Sequence, residues 1–593
     1  GEPNTHTQQF AVNYDIPINK LPVFSFVKST YSYNANYNWL RSSDALRTIN
    51  VPTPTPENPN ATTPYNLGNT IQNGNMHKLT TTLNMDMFYK YIGLTGKKKT
   101  RNTAPKPAPK PGEKVAAAPT TTSGGNVFLD GLIGVVTSVK NIGINYTETN
   151  GTVLPGYLPT IGFFGTMKPT YGFILGSQDR DIRIDAARNG YLTMYPEYNQ
   201  NYTQVNTKDL NLTAAIDLFP DFRIDLTARR TSADNYSEQY DVSPDGTYNP
   251  RSPYTFGNFQ ISTMLIKTAF STSDVNGSEA FDQMRENRLV IANRLAEQHY
   301  GGAEIPRYGG NGDPDPGSEF SNANAGFPVG FGRNSQRVLL PAFLAAYSGQ
   351  DANKVSTSPF RDVPLPNWVV KYTGLMRYKF FKDRFKRFSL QHAYTATYNI
   401  NAYRSNFEYD QNPNGQDNGG VGNFYSKTII SNINLTEQFN PLIRVDFEMK
   451  NSIKVLAEVR KDRTLNMSFD NNLLTEVRGN EYVLGLGYRI KDVVINSSLA
   501  DNPTNTIKSD INLKADFTLR KNETIVRYLD YDNNQLGGGQ NIWSVKFTAD
   551  YAFSKNLTAI FYYDHSFSKA VISTSYPLTN IRTGFTLRYN FGN

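Results

Sequence analysis

The stretch from Asn541 to Asn593 constrains the fold more than any other. Trp543, Val545, Phe547, Ala549, Tyr551 and Phe553 alternate with Ser544, Lys546, Thr548, Asp550 and Ala552. After Ser554-Lys555-Asn556, the residues Leu557, Ala559, Phe561 and Tyr563 take the apolar phase. The last segment sets Ile581, Phe585, Leu587, Tyr589 and Phe591 against Arg582, Gly584, Thr586, Arg588 and Asn590. A period of two belongs to strands, whose successive side chains point to opposite faces. Large aromatics on one face and charges on the other do not suit a sandwich core. They suit a transmembrane antiparallel β-barrel, with lipid outside and water inside.

The pattern recurs upstream. Phe10, Val12, Tyr14 and Ile16 alternate, as do the residues from Val27 to Trp39. Leu79, Leu83, Met85 and Met87 predict a strand ending in Tyr89 and Tyr91. Further strands are predicted at Asn141 to Thr149, Leu210 to Leu218, Phe222 to Ala228, Trp368 to Tyr378, Phe388 to Ile400, Ile429 to Met449, Ile453 to Val459 and Tyr482 to Ile490. In Ile507 to Leu519, apolar residues alternate with Lys508, Asp510, Lys514 and Asp516. Trp543, Val545, Phe547, Phe517, Leu519, Phe585 and Leu587 are therefore expected to face lipid. Lys508, Asp510, Lys514, Asp516, Arg582 and Arg588 are expected to face the lumen, as an anion filter or as cross-strand ion pairs with acids such as Asp550. Tyr89, Tyr91, Trp368, Phe553, Tyr589 and Phe591 stand at predicted strand ends, which favours an interfacial girdle over sugar platforms.

Five blocks follow. Residues 1–95 carry strands and a Pro/Asn/Thr-rich loop at 41–75. Residues 96–140 read as a disordered Lys/Pro linker (Gly96 to Gly125) followed by a short apolar patch, Val127 to Val136. Residues 141–231 hold strands and a long aperiodic loop. Residues 232–366 read as an extracellular or lumenal cap with helices at Glu279 to Gln298, stopped by Gly301-Gly302, and at Pro341 to Tyr347. Residues 367–593 are contiguous C-terminal strands. Short turns at Asn19-Lys20, Pro220-Asp221, Lys382 to Lys386, Lys450-Asn451, Lys521-Asn522 and Lys555-Asn556 are expected on the periplasmic side, alternating with long connections outside. This template gives roughly seventeen strands, an odd number, and with the absence of a leader before Gly1 it predicts that further strands lie upstream.

Other classes fit poorly. No run of about 18 apolar residues predicts a spanning helix. Cysteine is absent, and the net charge of +8 is too diffuse for a nucleic-acid groove. His6, His77, His299, His392 and His565 show no metal-ligand spacing. Asp313-Pro314-Asp315 reads as a turn loop before it reads as a calcium loop. No G-x-S-x-G, H-E-x-x-H or P-loop supports an enzyme, so neither a catalytic residue nor a cofactor is expected.

Several stretches resemble the C-terminal part of the SprA/Sov family, the giant outer-membrane translocons of the type 9 secretion system of Bacteroidetes. They are Glu2 to Gln9, Asn150 to Tyr157, Phe173 to Gln178 with Asp181-Ile182-Arg183, Ala186 to Thr193, Leu365 to Trp368, and Asn480 to Asp492. The resemblance implies part of a single barrel of over thirty strands. It also implies export of folded cargo through a lateral gate and a role in gliding motility. The implied partners are outer-membrane lipid, the upstream part of the same polypeptide, a PorV-like gate-blocking barrel protein, a periplasmic plug protein and a periplasmic prolyl isomerase. The alternative is a complete smaller transport barrel, a porin or a TonB-dependent receptor. An outer-membrane phospholipase or protease is a third class, without a recognisable catalytic constellation.

Overall fold

The computed structural model describes residues 3–94, 136–162, 165–496, 506–554, 556–572 and 575–591. The linker expected at Gly96 to Gly125 and the apolar patch expected at Val127 to Val136, apart from Val136 itself, lie outside them.

The architecture is all-β, an antiparallel up-and-down meander. Its strands are β1 (Thr5–Ile16), β2 (Val27–Leu40), β5 (Asn69–Asn84), β6 (Val139–Tyr157), β7 (Asn201–Phe219), β8 (Phe222–Val242), β9 (Tyr248–Ser262), β10 (Asn367–Tyr372), β11 (Phe385–Ser405), β12 (Thr428–Ile430), β13 (Asn432–Met449), β14 (Ile453–Ser468), β15 (Leu473–Asn496), β16 (Thr506–Tyr528), β17 (Asn534–Ala552), β18 (Leu557–Ala570) and β19 (Leu578–Tyr589). Two short strands, β3 (Ile49–Pro52) and β4 (Thr62–Tyr65), form a separate hairpin in the β2–β5 connection. The 17 segments of the large sheet fill fifteen positions, because β9 and β10 lie end to end between β8 and β11, and β12 and β13 lie end to end beside β11. Among the described residues β1 pairs only with β2, and β19 only with β18.

Register carries one face across the whole sheet. Directly opposed residues run Val27, Leu83, Ile142, Ala214, Leu226, Trp368 and Tyr394 over the N-terminal half. A second row runs Leu390, Val445, Ala457, Leu484, Phe517, Val545, His565 and Ile581 over the C-terminal half. His565 is the one polar member. Such a row forms because a one-residue slip would turn every side chain of a strand to the wrong face. On β15 the apolar residues from Tyr482 to Ile490 cover about 27 Å of strand at ~3.4 Å per residue, close to the ~25 Å of an outer-membrane apolar belt. The 23 residues of β16 run well beyond that height.

Several sequence expectations change. The residues from Met85 to Tyr91 form a helix instead of extending β5, because the Asn84 side chain accepts a hydrogen bond from the Met87 amide and caps it. Lys521-Asn522 is not a turn. It lies in the middle of β16, paired with Asn480 and Gly479, and the chain reverses at 529–533. Short and long connections do not alternate cleanly either, since 243–247, 469–472 and 529–533 are short on the side expected to carry long loops. Strands are longer than the alternation suggests. The loop expected at 41–75 ends where β5 begins, at Asn69, and the aperiodic stretch of 150–206 shrinks to 158–200.

The cap expected at 232–366 begins later, since 232–262 belongs to β8 and β9. The insertion is 263–366, and it leaves from the middle of a sheet position, between β9 and β10. Its first long helix, Glu279–Tyr300, is capped by Ser278, carries Glu279 and Asp282 in its first turn, and ends on Gly301 in the left-handed region. The second helix spans Gln336–Ser348 instead of Pro341 to Tyr347, and every residue from Val338 to Tyr347 is buried. A helix apolar on all sides must be covered on all sides. It packs with the first helix over Tyr394, Tyr398, Leu435, Leu465, Met467 and Leu474 of the sheet.

Candidate functional site

The site is the sheet itself: two chemically opposite faces and two segments docked on one of them. The residues expected to face lipid, Trp543, Val545, Phe547, Phe517, Leu519, Phe585 and Leu587, share one face by register. Lys508, Asp510, Lys514, Asp516, Arg582 and Arg588 share the other. Asp516, Lys546, Asp564 and Arg582 stand opposite one another on β16 to β19, a row of alternating charge. The row Arg460, Glu481, Arg520 closes into ion pairs at 3.3 and 2.9 Å, and Arg520 also reaches Asp462 at 3.1 Å. Lys508 pairs with Asp492 at 3.2 Å and Arg489 approaches Asp510 at 3.8 Å. The ladder reaches Asp446 and Arg387 through Arg444, Glu458 and Arg460. Paired charge of both signs makes this face hydrophilic without making it an anion filter.

The aromatic residues expected to form a girdle divide. Tyr91, Tyr589 and Phe591 are exposed, and Phe553 packs on Tyr551. Tyr89 is buried in the short helix after β5, and Trp368 stacks on Tyr394 at 4.5 Å within the sheet. The sequence reading missed an aromatic cluster at the turn end of the band. There Phe219, Phe222 and Tyr372 stack around the Pro220-Asp221 turn, and Phe381, Phe385, Phe388 and Phe447 lie in mutual contact. Phe219 and Phe222 were legible as flanks of a Pro-Asp turn, whereas the Phe447 contacts needed the β11–β13 pairing.

The insertion packs on the face of the apolar band, not on the charged face. On β14 one parity carries Val455, Ala457 and Val459 of the band, then Lys461 and Arg463, then Leu465 and Met467 beneath the helices. Two buried ion pairs fasten its first segment. Arg463 reaches Glu437 at 2.9 Å and donates to the Thr268 carbonyl and hydroxyl at 2.9 and 3.1 Å. Tyr394 donates to Glu437 and accepts from the Leu265 amide, both at 2.8 Å. Arg527 reaches Glu476 at 3.2 Å, and donates to the Ser273 hydroxyl and Asp274 carbonyl at 2.9 Å each.

The 158–200 segment docks on the same face over β2, β5, β6 and β7. Asn73 donates to the carbonyls of Phe173 and Ser177 at 2.8 Å each, and Asn75 to that of Gly176 at 2.7 Å. Gly176 has φ of 92°, and a Cβ there would lie 2.8 Å from that of Ala35, so only glycine fits this close approach. The stretch Phe173 to Gln178 is thus a clamp of loop on sheet. Asp313, considered for calcium, instead accepts from the Gly309 and Asp315 amides and the Ser321 hydroxyl.

No family profile and no curated protein sequence matches the chain. Among solved structures, it is similar to the closed form of the ferric-catecholate import receptor Fiu from E. coli K12 (8% identity, TM-score 0.23, covering 97% of this chain and 66% of that one). It is also similar to the RagAB peptide transporter (8%, 0.24, 94% and 50%) and to a mutant of the ferric enterobactin receptor PfeA from Pseudomonas aeruginosa (6%, 0.22, 100% and 73%). Superposition at this level carries no information about cargo.

Proposed function

We propose that this chain is a section of wall in a very large outer-membrane β-barrel, and that the barrel exports folded proteins as the type 9 secretion translocon does. The observation that carries the membrane reading is the register-continuous apolar face, about 27 Å tall on β15, backed on the same strands by ion-pair ladders. Lipid then meets the apolar face and water the charged one. Edge pairing supports a wider barrel. Fifteen positions leave β1 and β19 running in the same direction, so they cannot close on each other as antiparallel neighbours. Unpaired backbone groups in hydrocarbon cost several kcal/mol each, so this reading places further strands against both edges. The translocon assignment rests on the resemblance of the stretches quoted above, and with it come secreted cargo, a gate-blocking barrel protein and a periplasmic plug.

Depleting the protein in its host and following the surface proteome tests the reading. Folded cargo should accumulate in the periplasm while nutrient uptake continues. Normal secretion with loss of uptake of one solute class would replace the translocon with a receptor or porin. The membrane facing has its own readout: acyl-brominated lipid should quench Trp543 strongly and Trp39, which is buried beneath the docked 158–200 segment, weakly.

A further inference from the structure

Between the two docked segments lies a groove, floored by β6, β7, β8 and β9 on the apolar-band face. Its two joined parts have volumes of about 860 and 260 Å³ and share Asp234, Tyr236 and Thr255. The floor is a polar belt: Asn150, Gln204, Asn206, Arg230, Ser232 and Asp234. One wall is Gln178 and Arg180 of the 158–200 segment, and the other is Arg337, Pro341 and Phe360 of the insertion.

Height and charge together define the occupant. On β8, Arg230 follows Ala228 and Leu226 of the band on the same face, so the groove begins about 7 Å above the last apolar residue. Among the described residues lining the groove, Arg180, Arg337 and Lys427 make no ion pair, although Arg180 Nε donates to Gln204 Oε1 at 2.8 Å. Arg180 lies over the Tyr236 ring and Arg337 over the Phe331 ring. The nearby acids are partly engaged: Asp234 accepts from Tyr403, and Glu148 accepts from Tyr146 and Asn206 at 2.8 Å each, while Asp410 stands at the rim. The floor amides are already engaged, Asn150 with Asn75, Asn206 with Glu148 and Asn150, and Gln204 with Thr152 and the Gln178 carbonyl. A sugar would therefore meet the hydroxyls of Ser232 and Thr255 and the ring of Tyr254, and guanidinium N–H groups without a carboxylate partner take phosphate.

We propose that this groove holds the phosphorylated sugar headgroup of an outer-leaflet glycolipid whose acyl chains lie on the band beneath it. The proposal rests on the outer-membrane reading above and adds a ligand to it. The lipid would fasten the two docked segments to each other, since each supplies one wall.

The test uses the full-length protein purified from its own outer membrane in mild detergent. Mass spectrometry counts the phosphorylated glycolipid retained per chain in the wild type, in Arg180→Glu/Lys427→Glu, and in Arg337→Ala, with heat-modifiable migration as the folding control. The wild type should retain close to one lipid, and the rim double variant about tenfold less at unchanged migration. Equal retention in all three proteins overturns the site. Equal displacement by the deacylated headgroup and by the intact lipid overturns the lipid source in favour of a soluble phosphosugar. Recovery of the protein outside the outer membrane would defeat the membrane reading itself, whereas unchanged retention in an outer-membrane protein defeats the groove alone.

Discussion

Arg527→Met should detach the helical insertion from the sheet without unfolding the sheet. The Arg527 guanidinium and the Glu476 carboxylate are 0% and 1% exposed, 3.2 Å apart. Loss of the guanidinium leaves Glu476 with the Ser273 hydroxyl at 2.6 Å and Arg478 at 3.7 Å. Breaking a buried pair from one side costs about 3–5 kcal/mol, because the remaining charge has neither solvent nor partner. Arg478 keeps the expected value near the lower limit, about 3 kcal/mol, which raises the population of the open insertion by about two orders of magnitude. Hydrogen exchange reads this directly: amides of the Glu279–Tyr300 helix should exchange about a hundredfold faster, and those of β17 and β18 at the wild-type rate. Glu476→Leu/Arg527→Met removes both charges and should exchange more slowly than the single variant. Unchanged exchange in the helix after Arg527→Met, or a double variant as fast as the single, would refute the assignment of this pair as the fastening.

Three further outcomes are expected. Phe517→Arg places a charge in the apolar band and should cost about 2–4 kcal/mol of assembly, whereas Asp516→Asn on the opposite face should be mild; heat-modifiable migration compares them, and equal defects would contradict the facing. Asn73→Ala removes three hydrogen bonds to the docked 158–200 segment, two donated to the Phe173 and Ser177 carbonyls and one accepted from Gln178, at about 1–3 kcal/mol for the groups left unsatisfied, and should open that segment to limited proteolysis while the sheet stays resistant. His299, on the first helix of the insertion, has its pKa lowered by burial and by the neighbouring Arg337. The unfolded state then takes its proton first, so the stabilisation is present above the ordinary value near 6.5 and is lost as pH falls below it; the protection of that helix, taken relative to the intrinsic exchange rate at each pH, should fall between pH 7.5 and 5.5 in the wild type and respond less in His299→Gln.

The sequence by itself determined the two-faced strands. Alternation in β15 to β19 is a local property, written in the order of residues, and register later joined those faces without exception for the seven band residues and six charged residues singled out. The Glu279 helix was also legible, because Ser278, the acidic first turn and Gly301 mark its ends locally. Strand length was not, since above the band the same parity carries Lys461, Arg463, Glu476 and Arg478, and a polar stretch reads as a turn or loop. Only tertiary structure shows that these charges are paired beneath a docked segment. Only tertiary structure, too, places the insertion between β9 and β10 on the apolar-band face, because the partners of Arg463 and Arg527 lie on other strands and in the insertion, as far as 254 positions away in the chain. No window of sequence contains both halves of such a contact, so its geometry is decided by the fold.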